Sequence, residues 1–315
     1  MAVQEVRIVE VGPRDGLQNE AAEIPTEVKV HYIDLLTAAG FGWIEVTSFV
    51  HPRAVPRMAD ADAVFRSIHK KPGVRYVALV PNPRGLDRAL GAGVTDLALF
   101  VAATESFSRA NINRAIDQSL DDARAVVEQA RPRGMNVRAY ISVVFGCPYE
   151  GPVAVAQVRR VAERVFELGV DEVVLGDTIG VATPSDVSRV MDDLLQLAPV
   201  ERWGLHFHDT RGIAVANVMA GLDLGLTKFD SSAGGLGGCP FAGPGAAGNL
   251  ATEDLLYLLD GLHIRHGVDL DGVMAASRYI VNAIGHPLTS KVFQAGGRPR
   301  TITAPSPSPS GRGQG

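Results

Sequence analysis

Short apolar runs alternate along the chain with longer segments in which apolar positions recur every three or four residues. The short runs are typical of parallel strands that are buried on both faces, and the longer segments are typical of amphipathic helices. Eight repeats of a strand and a helix favour a closed α/β barrel, the (β/α)8 TIM barrel, over an open doubly wound sheet. The eight predicted strands cover residues 6–11, 42–47, 74–80, 95–101, 136–144, 170–176, 203–208 and 228–232.

The chain continues beyond the eighth strand with two further helix patterns, at about residues 249–264 and 271–284. We therefore expect a single barrel domain over residues 1–298 that includes extra C-terminal helices. Residues 299–315 are rich in Pro, Ser and Gly and are predicted to be a disordered tail. No Gly-x-Gly-x-x-Gly follows the first strand, which weakens the alternative of a dinucleotide-binding domain.

The composition limits the class of partner and the compartment. The chain carries a net charge of −5, and it has no basic stripe with interleaved aromatic residues, so we expect no nucleic-acid partner. No apolar run approaches the roughly 18 residues of a membrane helix, and no targeting peptide is expected before the first strand. The two cysteines, Cys147 and Cys239, form no disulfide framework, which favours a reduced cytoplasmic setting.

Polar and ionisable side chains concentrate at the C-terminal ends of the predicted strands and in the loops that follow, where barrel enzymes carry their catalytic residues. Each of them has a simpler explanation alone, as a helix cap or a satisfied core residue. Their convergence from at least five strands favours a functional site, because burying them unpaired would be costly. They are Glu10, Arg14, Asp15 and Gln18 at strand 1, Glu45 at strand 2, Arg138, Tyr140 and Ser142 on strand 5, Asp177 at strand 6, His206 and His208 at strand 7, and Cys239 and Asn249 in the Gly-rich loop after strand 8.

The segment GLHFHDT carries two histidines at positions i and i+2, which share a face only if the segment is a strand. His206 and His208 then point to the same side, and two imidazoles near carboxylates suggest a divalent metal. Nitrogen and oxygen ligands suit six-coordinate Mn²⁺, Mg²⁺ or Co²⁺, with Asp15 and Asn249 as candidate oxygen ligands. Zinc is disfavoured because no cysteine pair accompanies the histidines. A hydrogen-bonded structural histidine pair is the alternative.

Several longer motifs resemble the 3-hydroxy-3-methylglutaryl-CoA lyase family of metal-dependent barrel lyases, over roughly residues 5–295. The motifs are VEVGPRDGLQNE, IEVTSFVHPRAVPRMAD, GCPYEG, LGDTIGVATP, HFHDTRG and AGGLGGCPFAGPGAAGNLATEDLLYLL. The resemblance implies divalent-metal-dependent cleavage of 3-hydroxy-3-methylglutaryl-CoA to acetyl-CoA and acetoacetate, as in leucine catabolism. It further implies Mg²⁺ or Mn²⁺, an acyl-CoA substrate and a homodimer.

The resemblance also implies roles for individual residues. Asp15, His206, His208 and Asn249 would hold the metal. Arg14 would polarise the thioester carbonyl of the substrate and Glu45 would orient Arg14, while Asp177 would lie beside the substrate hydroxyl. Cys239 would sit on a mobile loop over the site and is a candidate proton donor. The residues expected to line the substrate pocket are Gln18, Ser48, Tyr140 and Ser142. Cys147 is expected to be structural.

Three alternatives stay open at this level. A paralogous lyase would act on a different 3-hydroxy-3-alkylglutaryl-CoA or on a citramalyl-CoA type of substrate. A synthase would catalyse the condensation of acetyl-CoA with a 2-oxo acid, although the motif RDGLQNE and the lack of an added regulatory domain disfavour this alternative. A barrel retained only for binding is disfavoured because every expected site position is filled.

Overall fold

The computed structural model describes residues 3–238 and 248–298. Within them, eight parallel strands close into a barrel in which each strand pairs with the next and β8 pairs with β1. The predicted TIM barrel is confirmed, and each predicted strand boundary lies within two residues of the observed one. The strands are β1 (Arg7–Glu10), β2 (Trp43–Ser48), β3 (Arg75–Leu79), β4 (Asp96–Ala102), β5 (Asn136–Ser142), β6 (Glu172–Asp177), β7 (Trp203–Phe207) and β8 (Lys228–Ser231).

Helices cover the outside of the barrel and extend beyond its last strand. They are α1 (Thr26–Ala38), α2 (Ala61–Ser67), α3 (Pro83–Ala92), α4 (Glu105–Ile112), α5 (Ile116–Ala130), α6 (Val155–Glu167), α7 (Pro184–Leu194), α8 (Ala214–Asp223), α9 (Thr252–Gly261), α10 (Leu270–Ile284) and α11 (Lys291–Gln294). The two helices predicted after the eighth strand correspond to α9 and α10. None of these helices is long and apolar enough to cross a membrane.

Helix α6 shows how the sequence pattern attaches a helix to the barrel. Its buried residues are Val158, Val161, Ala162 and Val165, which recur at intervals of three and four and so form one face of the helix. The other face carries charged residues such as Arg159, which pairs with Glu163 one turn later. Burial of the apolar face against the strands supplies most of the stabilisation of such a helix.

The inside of the barrel holds charges as well as apolar side chains. Arg138 on β5 is 1% exposed, and its Nη2 lies 2.8 Å from Oδ1 of Asp230 and 3.1 Å from Oε1 of Glu172. Glu172 also pairs with Arg7 and Lys228 at the N-terminal end of the barrel. Because a buried charge is tolerated only when it is paired, the folded state requires these contacts.

We predict that Arg138→Met destabilises the protein strongly. The change keeps most of the side-chain volume but leaves Asp230 without its cation, and removal of one partner of a buried pair typically costs about 3–5 kcal/mol. The matched control is Arg131→Met, because Arg131 pairs with Asp171 at the surface and is about half exposed. Exposed pairs contribute about 0–1 kcal/mol. Thermal unfolding followed by circular dichroism measures both, and equal melting temperatures for the two variants would contradict the assignment.

Candidate active site

The turn after β1 presents two of the predicted site residues to the barrel mouth. Residues Gly12–Gly16 form a single π-helical turn in which the carbonyl of Val11 accepts the N–H groups of Arg14, Asp15 and Gly16. The turn is tightly enclosed, since a Cβ on Gly12 would stand 2.5 Å from Oε1 of Glu10. The backbone thus fixes the positions from which Arg14 and Asp15 reach the site.

Arg14 is held by carboxylates on two sides. Its Nε donates to Glu45 of β2, and its Nη1 donates to the neighbouring Asp15. Glu45 is fully buried and also accepts a hydrogen bond of 2.7 Å from the hydroxyl of Tyr140. Burial alone would lower the pKa of Arg14, but the charges of Glu45 and Asp15 outweigh it and raise the pKa above its ordinary value. The guanidinium is therefore charged and fixed in orientation.

Three candidate metal ligands converge at the mouth. Asp15, His206 and His208 each offer a ligand atom, and the three atoms lie within 4.8 Å of one another. Oδ2 of Asp15 is 3.9 Å from Nε2 of His206 and 3.7 Å from Nε2 of His208. These separations are too long for hydrogen bonds but suit atoms that share an ion, because metal–ligand distances of about 2.0–2.2 Å place ligand atoms up to ~4 Å apart.

Asn249 supplies the test of whether these residues fit a metal. Its Nδ2 donates to Oδ2 of Asp15 at 2.9 Å and to the carbonyl of Leu236 at 3.0 Å, which fixes the amide. Its Oδ1 is buried and has no hydrogen-bond partner among the described residues. A buried acceptor without a partner is costly, and an oxygen beside Asp15 is a ligand that Mg²⁺ and Mn²⁺ prefer. The residues present therefore fit a divalent cation.

Asp230 supports the site from behind and was not among the predicted residues. It is paired with His206 across β7 and β8, and its Oδ2 lies 3.3 Å from Nδ1 of His206. It also accepts hydrogen bonds from Tyr140 and Arg138. Burial would raise the pKa of Asp230, but Arg138 and His206 outweigh it and lower the pKa to about 2. This carboxylate holds the proton of His206 on Nδ1 and leaves Nε2 free for a metal.

Asp15, in the turn after β1, is also held ionised. Burial would raise the pKa of Asp15, but Arg14 and the two histidines outweigh it and hold the pKa well below its usual range. An ionised carboxylate beside two imidazoles is the donor set that divalent cations require.

A cavity of about 600 Å³ opens from this centre. Arg14, Asp15, His206 and His208 lie in its wall, together with three of the four residues predicted to line the pocket, Gln18, Tyr140 and Ser142. Its wall also includes Phe100 on β4, Asn111 in α4 and Arg114 between α4 and α5. The cavity thus joins the candidate metal centre to residues around α4 that were not predicted.

Several predicted residues, among them Glu45, Ser48 and Asp177, lie apart from the described wall of this cavity. Glu45 stands behind Arg14, as described above. Ser48 is fully buried on β2 and its hydroxyl has no described partner. Asp177 is 1% exposed, and its carboxylate accepts the N–H groups of Val181 and Ala182 in its own loop. Burial raises the pKa of Asp177 despite those hydrogen bonds. Its place beside the substrate hydroxyl stays a prediction.

Of the two cysteines, Cys147 lies among the described residues and Cys239 does not. The predicted role of Cys239 therefore stays a prediction. Cys147 is buried and has no disulfide, and Thr104 donates a hydrogen bond of 3.2 Å to its sulfur. This environment is that of a packed structural residue.

Comparison with known proteins bears on this site. The family model described as HMGL-like matches residues 5–280. The chain is 47% identical to a hydroxymethylglutaryl-CoA lyase of Bacillus subtilis, over 92% of this chain and 97% of that protein. It is 50% identical to a cytoplasmic 3-hydroxy-3-methylglutaryl-CoA lyase of Danio rerio, over 92% of this chain and 86% of that protein.

A solved structure is also similar to this chain over nearly its whole length. An HMG-CoA lyase of Acinetobacter baumannii, in complex with coenzyme A and 3-methylmalate, superposes with a TM-score of 0.91. It is 37% identical to this chain, and the match covers 98% of this chain and 99% of that one.

We predict that Asp230→Asn weakens the binding of Mn²⁺ by about 10–100-fold, the usual effect of losing a partner behind a metal-binding histidine. An amide there no longer attracts the Nδ1 proton, so His206 is free to expose the wrong tautomer. Titration of metal-free protein by isothermal calorimetry measures the affinity, and Asp171→Asn at the surface is the control. An unchanged affinity in folded Asp230→Asn would refute the role.

Proposed function

Because this chain belongs to the HMGL-like family, we propose that it is a divalent-metal-dependent carbon–carbon lyase that cleaves 3-hydroxy-3-methylglutaryl-CoA to acetyl-CoA and acetoacetate. The observation that carries the proposal is the convergence of Asp15, His206 and His208 beside a fixed guanidinium at the mouth of the barrel. Asn249, whose Oδ1 has no hydrogen-bond partner among the described residues, completes the proposed ligand set. This donor set binds a hard divalent cation and leaves room for substrate oxygens.

The reaction needs three things from the site. The tertiary hydroxyl of the substrate must give its proton to a base, the bond between the hydroxyl carbon and the thioester arm must break as the carbonyl of acetoacetate forms, and the electron pair of that bond must be stabilised as the enolate of acetyl-CoA. A divalent ion, when bound, supplies a Lewis acid that lowers the pKa of the substrate hydroxyl. Protonation of the enolate carbon then completes acetyl-CoA, and we retain Cys239 as a candidate donor.

Arg14 stabilises the charge that develops on the thioester oxygen. Its Nε and Nη1 are occupied by Glu45 and Asp15, and its side chain still lies in the wall of the cavity. Because the carboxylates fix the guanidinium beforehand, little reorganisation is needed when the enolate forms. A preorganised donor at a developing oxyanion is typically worth about 3–4 kcal/mol.

Tyr140 joins the two halves of the site. Its hydroxyl reaches Glu45 and Asp230, both within 2.8 Å. Since one hydroxyl carries one proton, it donates to only one of the two carboxylates at a time, and the short contact with the other is sustained by the flanking guanidinium groups of Arg14 and Arg138. The orientation of Arg14 and that of His206 are thereby coupled through one side chain.

The shape of the cavity supports an acyl-CoA substrate. Its wall includes residues of the candidate metal centre as well as Asn111 and Arg114 around the end of α4, so an acyl group at the metal centre leaves room for a longer carrier. The structurally similar A. baumannii enzyme is named as a complex with coenzyme A. We propose that coenzyme A follows this cavity outward.

The remaining features of the proposal rest on the family. We propose Mg²⁺ or Mn²⁺ as the metal, a homodimer as the assembly, and leucine catabolism as the setting. We place the enzyme in the cytoplasm, although similar relatives carry both the cytoplasmic and the mitochondrial label.

We predict that the purified protein releases acetyl-CoA from 3-hydroxy-3-methylglutaryl-CoA with Mg²⁺ or Mn²⁺, and that a chelator abolishes the release. Arg14→Met should lower kcat by about 100–1000-fold, since it removes a preorganised donor to the enolate oxygen. A coupled assay for acetyl-CoA measures both effects.

Arg131→Met, which removes a surface guanidinium, should leave kcat unchanged. Absence of release by protein that binds Mn²⁺ would refute the substrate, and a panel of related acyl-CoAs would then identify the acyl group. Release that survives Arg14→Met at the same rate would refute the role of Arg14 and leave the activity standing.

A further inference from the structure

We propose that Glu10 is a positioning residue for the metal centre, because its carboxyl group joins the three backbone segments on which Asp15 and Asn249 depend. The inference rests on the metal centre of the proposed function. Glu10 is the last residue of β1, is fully buried, and has no part in the ligand set itself.

The contacts of Glu10 reach three separate segments. Its Oε1 accepts the N–H of Gly12 at 2.8 Å and the N–H of Ala233 at 2.9 Å. Its Oε2 accepts the hydroxyl of Thr252 at 2.7 Å. Ala233 and Thr252 are more than 220 residues away in sequence, so this one side chain fixes distant parts of the chain relative to each other.

The first segment leads directly to Asp15. Gly12 opens the single turn that carries Arg14 and Asp15, and there is no space for a side chain at Gly12, where a Cβ would also lie 2.7 Å from the hydroxyl of Tyr32. A shift of the Gly12 N–H therefore shifts the turn as a whole, and Asp15 with it.

The other two segments lead to Asn249. Ala233 begins the stretch that ends at Leu236, whose carbonyl accepts both the backbone N–H and the Nδ2 of Asn249. Thr252, three residues after Asn249, begins α9, and its own N–H donates to Ser232. Glu10 thus fixes Asn249 from both directions along the chain, while Asn249 in turn bonds to Asp15.

The hydrogen-bond geometry admits a neutral carboxyl at this position. Burial raises the pKa of Glu10 to about 8, despite the hydrogen bonds from Ala233, Thr252 and Gly12, and the facing Glu253 and Tyr32 bring no positive charge to lower it. Oε1 is committed to two backbone N–H groups, so the proton belongs on Oε2. In this neutral form Oε2 donates to the hydroxyl of Thr252 instead of accepting from it, and that hydroxyl donates to Ser231, 2.7 Å away. A glutamine reproduces this pattern of one acceptor and one donor.

The test compares variants of the full chain by their affinity for Mn²⁺, read from the electron paramagnetic resonance signal of the free ion in titrations of metal-free protein. Glu10→Gln keeps the acceptor for Gly12 and Ala233 and should bind Mn²⁺ within about threefold of the unmodified protein. Glu10→Met keeps the volume but leaves both N–H groups unpaired, and should weaken binding by about tenfold or more, the range seen when outer partners of ligands are lost.

A second pair of variants covers the case in which Glu10→Met does not fold. Thr252→Val removes only the hydroxyl that joins α9 to Glu10 and should weaken Mn²⁺ binding about threefold or more. Its matched control is Thr37→Val, which removes a buried hydroxyl that donates to the carbonyl of Ile33 within α1. The control should leave the affinity unchanged.

Each outcome decides between positioning and packing. Wild-type affinity in folded Glu10→Met, or equal affinities of Thr252→Val and Thr37→Val, would overturn the inference and leave the lyase activity standing. Failure of the unmodified protein to bind Mn²⁺ would overturn the metal centre and this inference with it. Rescue by Glu10→Gln, together with loss in Glu10→Met, is the result that a merely apolar packing role does not produce.

Discussion

Pairing of buried charge along the barrel axis is the constraint on which the rest of this structure depends. A chain of contacts runs from Glu172 at the N-terminal end through Arg138, Asp230, Tyr140 and Glu45 to Arg14 at the mouth. A buried cation without its carboxylate would strongly destabilise the barrel, so each side chain in this series holds the next one in position. The orientation of the groups at the mouth is therefore set by contacts that begin at the opposite end.

The candidate metal centre combines two kinds of support. His206 lies on β7 and is held by a neighbouring strand through Asp230, so its position follows from the sheet register. Asp15 comes instead from the π-helical turn after β1, and Asn249 comes from the segment before α9, where it forms an isolated antiparallel bridge with His208. The hydrogen bonds of Asn249 to Asp15 and to the carbonyl of Leu236 link these segments. Nε2 of His206 on the strand and Oδ2 of Asp15 on the turn lie 3.9 Å apart, a distance that suits two ligands of one ion.

Much of this arrangement is predictable from the sequence, because periodicity carries it. Arg138 and Tyr140 alternate on a predicted strand and both reach Asp230, as a shared face requires. His206 and His208 likewise share a side once their segment is a strand.

Asp230 was not among the site residues predicted from the sequence, and this omission has a physical reason. Asp230 stands in the run KFDSS, where an aspartate inside a strand is unusual enough to signal a role, but its partners lie 24 to 92 residues away along the chain. Ser48 was assigned to the pocket by the resemblance; it is not among the described residues of the cavity wall, and its place in the pocket stays a prediction. Contacts between distant segments are set by packing, which local pattern does not contain.

The pairing of Asp230 with His206 across β7 and β8 also determines which changes of length the chain tolerates. Side chains alternate between the two faces of a strand, so one inserted residue in β8 would turn Asp230 outward and bring an apolar neighbour to face the imidazole. The same insertion in a loop on the far side of the barrel leaves the site intact. We therefore expect insertions and deletions to be tolerated in the connections, whereas a change of length within β8 would separate Asp230 from His206.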